Sequence, residues 1–327
     1  MTSSATSIAG WSAIVLAGDE LEATVLPDKG AEIHSLFHRP SGTELLFHAP
    51  WGLQPPGAPP REGAGGHPFL EHYAGGWQEL FPSANDSTEY RGEAIPFHGE
   101  VASLPWECRP DGDALRCSVR CVRTPFRLER VMRLEDGTLV LDERVSNEGA
   151  RPAQFVWGHH LVLGPPFIER GCVLEIPART LETVPELWEE TARLEPGQRE
   201  PWPAARLRAG GTVDLTEVPG PEAASHDDVY VTDLDDGWAS VTNPRLGLRL
   251  RVDFDATVFR WVIAWQPYGG AHAMPLSGAY ALGVEPWVSR LPLGEAAAQG
   301  EAIELAPGAS FETSLRVGVE TVDRWLR

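Results

Sequence analysis

The chain has 327 residues and sets 27 Lys and Arg against 47 Asp and Glu, a formal charge of −20 at pH 7. A field of that sign repels phosphate backbones and anionic bilayers, so neither a nucleic acid nor a membrane is expected as a partner. Lys29 is the only lysine, no P-loop occurs and no G-x-G-x-x-G follows a strand-like run. Phosphoryl-transfer, pyridoxal and dinucleotide chemistry therefore have no support, and no cofactor is expected.

In chain order, the first twenty residues carry no basic region and no long apolar run, so the expectation is a cytoplasmic protein without a signal peptide or membrane span. Residues 50–66 hold five prolines and five glycines and read as a long functional or covering loop. Leu115, Cys117, Val119 and Cys121 alternate with polar residues, the mark of a strand with one buried face. Cys117 and Cys121 then lie about 13 Å apart by strand rise, too far to bridge, so Cys108, Cys117, Cys121 and Cys172 are expected as reduced core thiols. Asp-Gly turn signals stand at Asp111-Gly112, Asp136-Gly137 and Asp236-Gly237. Short helical periodicity occurs only around Leu181–Arg193 and Val322–Leu326. Residues 194–225 form a second Pro/Gly-rich break. Leu246 to Phe254 and Phe311 to Val319 again alternate with period two. The chain reads as one all-β domain over residues 1–327, an antiparallel sandwich with decorated loops.

Three stretches place a titratable group on a strand. In Ala279–Glu285, Ala279, Ala281 and Gly283 share a face with Glu285, which leaves open volume beside that carboxylate, and Pro286 holds it extended. Along Phe155–Leu163, parity separates His159, on the apolar face of Phe155, Trp157 and Leu161, from His160, on the lighter face of Val156 and Gly158. His160 is thereby the pocket-facing candidate, and His159 a hydrogen-bonded core residue. Adjacent strand histidines chelate one ion poorly, so no metal is expected. His98 precedes Gly99, which permits close approach of a neighbour or ligand. Twelve tryptophans, among them Trp77, Trp157, Trp265 and Trp287 near these stretches, offer flat faces suited to sugars.

Together these stretches resemble the aldose 1-epimerase (galactose mutarotase-like) family. Leu21–Ile33 is similar to its first hairpin, Phe97-His98-Gly99 to its His-Gly motif, and Trp157-Gly158-His159-His160 to the strand bearing its catalytic histidine. Gly283-Val284-Glu285-Pro286 resembles its Glu-Pro motif, and Leu305–Ser310 its closing turn. The resemblance implies the family's β-supersandwich and a cofactor-free interconversion of sugar anomers. Glu285 would act as general base on the anomeric hydroxyl and protonated His160 as general acid on the ring oxygen, while His98 donates a hydrogen bond to the sugar. An Asp on a sugar hydroxyl corresponds to Asp227 by register, with Asp228 the second choice. The family's sugar-anchoring arginine is replaced within Gly75–Pro82, where Trp77, Gln78 and Glu79 stand. The arginine that follows the His-Gly motif in members acting on sugar phosphates is replaced by Glu100, Val101 and Ala102. Arg91 lies near enough in sequence to substitute, and His159 completes the candidate substrate-binding set. A neutral monosaccharide is the expected partner of a monomer or homodimer, and the run Trp77–Pro82 resembles members acting on 2-deoxyribose-like sugars. The competing expectation is a non-catalytic carbohydrate-binding domain on the same fold.

Overall fold

A computed structural model describes residues 2–61, 66–187 and 189–323. Two antiparallel sheets dominate. Among the described residues one sheet has 13 strands, and its centre runs in the order Glu32–His38, Trp77–Leu80, Gly158–Leu163, Glu285–Trp287, Trp261–Tyr268, Ser225–Leu234. The other has 8 strands, with Leu248–Phe254, Ser310–Thr321, Thr138–Asn147, Phe126–Glu135 and Ala114–Arg120 adjacent in that order. The alternating sequence runs become these strands, and in Leu248–Phe254 every second residue is buried. One continuous apolar cluster fills the space between the sheets, from Leu16 and Leu21 through Phe81, Phe126 and Trp157 to Leu315 and Val317. Burial of that surface is the main stabilising term.

The turn signals have two outcomes. Asp136 and Gly137 both take positive φ and close the two-residue hairpin between Phe126–Glu135 and Thr138–Asn147, the backbone that matches strand twist. Asp236-Gly237 instead carries the chain from Ser225–Leu234 in the large sheet to Trp238–Asn243 in the small one.

Several expectations change. Cys108 and Cys117 are not separate thiols but a disulfide. The hairpin turning at Gly112-Asp113 sets Asp111 opposite Ala114, and that register brings Cys108 opposite Cys117. Spacing along a single strand could not reveal a partner across the turn. Cys121 and Cys172 are free. Leu181–Arg193 is not helical: Ala178–Thr183 is a strand, and the described residues beyond it are turns and irregular chain. The end of Val322–Leu326 lies outside the described residues. The break at 194–225 contains the short strands Arg199–Pro201, Ala204–Arg206 and Thr212–Asp214. Among the described residues, no helix is long and apolar enough to cross a membrane.

Candidate active site

Strand register assembles the site. Gly158 pairs with Trp287 and Val162 with Gly283, which brings His160 opposite Glu285 between them. On the other flank His160 pairs with Gln78. Facing residues on adjacent strands point the same way, so Gln78, His160 and Glu285 share the sheet face turned away from the eight-stranded sheet. His160 Nε2 lies 3.8 Å from Glu285 Oε1, and the two residues are 6% and 1% exposed. Two glycines make room for this pair. A Cβ at Gly283 would stand 2.4 Å from Glu285 Oε1, and one at Gly158 would stand 2.8 Å from Trp287 Cδ1. The volume expected beside Glu285 is thus taken by its own carboxylate, folded back over Gly283, and by Trp265.

Aromatic rings close the site. Phe69, in the helix Pro68–Glu71, meets His98 edge-on at 4.6 Å and His160 at 5.2 Å between ring centroids. Tyr73 stands perpendicular to His160 at 5.4 Å, and Trp265 lies 5.7 Å from His160. On the outer side of Phe69 and Tyr73 is a cavity of about 210 Å³, also lined by Trp11, Lys29, Gln78 and Ser103.

This apolar lining decides the protonation of the pair. Burial lowers the His160 pKa to about 3. Burial first, and then the charge of Asp228, push the Glu285 carboxyl well above its usual range, while the Trp287 indole pulls weakly the other way. Burial thus favours the neutral form of both groups, with the proton on Glu285, where the sequence led to the expectation of a protonated His160. His98 is corrected as well. Its Nδ1 donates to the Ala84 carbonyl at 2.8 Å, and burial keeps the ring neutral with its pKa well below normal. Nε2 is then an acceptor, where a donor was expected.

The other candidates divide. Gln78 sits on the site face, but its amide donates to Glu32 Oε2 at 3.0 Å and to the Gly75 carbonyl at 2.7 Å. Burial opposes ionisation of Glu32, yet the Lys29 ammonium and His34 outweigh it and hold the carboxyl below its usual range. The lone lysine is thus spent in an internal ion pair. Asp228 pairs across with Trp265 and acts on Glu285, whereas Asp227 points to the opposite face. There Asp227 accepts from the Arg193 backbone N–H and Nε and from the Leu194 N–H at 2.8–3.0 Å. Trp77, Glu79 and His159 face the interior, away from the site. The Trp77 indole donates to His159 Nδ1 at 3.3 Å, His159 Nε2 lies 3.1 Å from Glu143, and Arg130 bridges Glu79 at 2.9 Å and Glu143 at 3.2 Å. Arg91 is exposed and donates to the Pro152 carbonyl at 2.6 Å.

Sequence reasoning missed Tyr73, Phe69, Glu32 and Lys29. Only Gly75-Gly76, which turns the chain into the strand Trp77–Leu80, hinted that the preceding segment folds over the sheet. Among the described residues, Glu79, Glu143 and His159 are the one group with ligand atoms close enough to hold a metal ion, within 4.8 Å of one another. The guanidinium of Arg130 already bridges both of its carboxylates.

With this geometry in place, relatives can be compared. The sequence profile of a family described as a domain of unknown function, DUF4432, matches residues 9–319. The chain belongs to that family. No curated protein sequence matches it. Solved structures share the fold of this DUF4432 chain at low identity. The Slr1438 protein from Synechocystis sp. PCC 6803 has 18% identity and a TM-score of 0.71 over 97% of this chain and 99% of its own. A galactose mutarotase related enzyme from Lactobacillus acidophilus has 15% identity and a TM-score of 0.67 over 95% and 99%. A galactose mutarotase-like protein from Lactobacillus casei has 16% identity and a TM-score of 0.64 over 94% and 100%. The fold of this chain is that of the galactose mutarotase-like sandwiches.

Proposed function

We propose that this chain is a cofactor-independent aldose mutarotase acting on a neutral sugar, with its one sandwich as the working unit. The observation that carries the reading is the buried pair His160–Glu285, 3.8 Å apart, beneath aromatic rings. Mutarotation needs one group to take the proton of the anomeric hydroxyl as the C1–O5 bond breaks, and another to deliver a proton to O5. A neutral imidazole and a protonated carboxyl supply this combination. His160 takes the O1 proton, Glu285 gives its proton to O5, and the open aldehyde turns about C1–C2. Closure on the other face runs the same transfers backwards, so the pair ends as it began. The pair holds one proton whichever residue carries it, so the exchange of roles relative to the family pattern leaves the chemistry intact.

Neutral substrates are favoured by the surroundings. The vestibule outside Phe69 and Tyr73 is lined by Asp28 and Glu71, and its only lysine is neutralised by Glu32. Among its described lining residues, a phosphorylated sugar would meet no unpaired lysine or arginine. Because His160 and Glu285 are almost fully covered, a sugar reaches them from this vestibule when the Phe69 ring gives way.

Exchange NMR of anomeric protons over a panel of aldoses, deoxyaldoses and sugar phosphates tests the reading. We expect acceleration for a neutral sugar and its loss in Glu285→Gln and in His160→Ala. Saturable sugar binding without acceleration over the whole panel would establish a binding domain instead.

A further inference from the structure

The hydroxyl of Tyr73 is a buried polar group without a hydrogen-bond partner among the described residues. Tyr73 is 2% exposed, and among the described residues nothing hydrogen-bonds to its Oη. The rest of the residue is held firmly. Its carbonyl accepts from the Trp51 indole at 2.9 Å, and its ring packs on Phe69 at 5.4 Å, on His160 at 5.4 Å and on Trp265 at 6.3 Å. Leaving a phenol hydroxyl unpaired in such a place costs the fold stability, because a buried donor has given up water and received nothing. Phenylalanine would fill the same volume without that cost. A ligand supplies the missing partner, and the surroundings say where it would sit. The phenol lies within electrostatic reach of the Glu285 and Glu32 carboxyl groups, so it adjoins both the acid of the proposed pair and the Lys29–Glu32–Gln78 cluster that borders the vestibule. His160 Nδ1, also buried, has no hydrogen bond to any other described residue. Two unsatisfied groups with their rings in contact mark one polar ligand on this face.

We propose that Tyr73 is a further substrate-contacting residue, whose hydroxyl donates a hydrogen bond to an oxygen of the sugar held between His160 and Glu285. The inference rests on the mutarotase reading and deepens it: the substrate must present a hydroxyl or ring oxygen on the side of Phe69 and Tyr73. Burial first, and then the ionised Glu32, keep the phenol protonated, so it serves as a fixed donor and exchanges no proton during turnover.

The test is Tyr73→Phe in the full chain, measured by anomeric exchange NMR and by thermal unfolding with and without the best sugar of the panel. The expected result is a fall in kcat/KM of about tenfold, the size of one neutral hydrogen bond, with an unchanged pH profile. The melting temperature of the free protein should be equal or higher, and its rise on adding sugar smaller. A wild-type rate in the variant, where the parent enzyme is active, overturns the role of Tyr73 and leaves the mutarotase reading standing. A lower melting temperature of the free variant overturns it too, because the hydroxyl would then serve the fold. A parent protein that neither accelerates exchange nor is stabilised by any sugar removes both ideas together.

Discussion

His159 and His160 are neighbours on one strand, each is buried, and each faces a glutamate, yet their surroundings are opposite in kind. On the inner face His159 joins Trp77, Glu79, Glu143 and Arg130 in a network that links the two sheets. Two carboxylates there share one guanidinium, and burial first, then the charge of Glu143, raise Glu79 to about 7. On the outer face His160 meets Glu285 and Tyr73 with no cation in the group and with polar atoms left open. Inner atoms without a well-aligned hydrogen bond, such as Glu79 Oε2 and Glu143 Oε2, still lie 2.9–3.2 Å from an ion-pair partner, so that network is closed by its ion pairs and ties the fold together. In the outer group, by contrast, the Tyr73 hydroxyl has neither a hydrogen bond nor an ion-pair partner among the described residues. Burial of a charged-type residue therefore says little about function until its partners are accounted for.

The largest effects should come from breaking the outer pair. Glu285→Gln or His160→Ala should reduce anomer exchange by roughly 10²–10⁴-fold, the usual range for a general acid or base, as read by exchange NMR. Because Glu285 is buried in its neutral form, the glutamine variant should keep the parent melting temperature.

The inner network should respond in the opposite sense. Arg130→Met leaves Glu79 and Glu143 without their cation and should destabilise the protein by about 3–5 kcal/mol in denaturant unfolding. If its loss were instead confined to activity, with stability intact, the distinction between the two faces would fail.

Gly283→Ala sharpens the contrast at intermediate size. The new methyl takes the space of the Glu285 carboxyl, so exchange should slow by roughly tenfold or more while overpacking costs about 1–3 kcal/mol. The same change at Gly112, where an added Cβ meets nothing within 4 Å, should leave anomer exchange unaltered.

The two faces also differ in their response to pH. His159 and His226 are lowered to about 4 and His160 to about 3, in each case chiefly by burial. Between roughly pH 6.5 and 4 the unfolded chain binds protons that these histidines refuse in the fold, so stability falls as pH falls. Each contributes a slope of up to about 1.4 kcal/mol per pH unit, and His160→Asn should remove one such share in melting curves taken across that window. Glu79 works in the other direction. It holds its proton up to about 7, so its contribution is lost as pH rises from about 4.5.

Much of the site was legible in the sequence. Period-two alternation marked the strands, and parity alone separated His160 from His159 on the correct faces. The Gly-x-Glu-Pro spacing pointed to Glu285, although the reason differed: the glycine accommodates the carboxyl itself. Gln78 and Glu79 could be told apart only by register, which pairs Gln78 with His160 and Glu79 with His159. Asp227 and Asp228 likewise needed the pairing with Trp265 and Gln266 to show which one faces Glu285. Tyr73 and Phe69 left no periodic signal, because they lie in an irregular segment whose position depends on what it covers.

Charge and composition pointed to an uncharged partner and offered no motif for nucleotide or pyridoxal chemistry, and period two pointed to the sandwich that the structure shows. Those conclusions follow from local properties, since each residue contributes its charge or its face independently of the rest. Which proton sits on which residue was decided only in three dimensions. That choice depends on burial and on the neighbours brought by other strands, which favour the proton on Glu285, and the same folding turned the single lysine inward to Glu32.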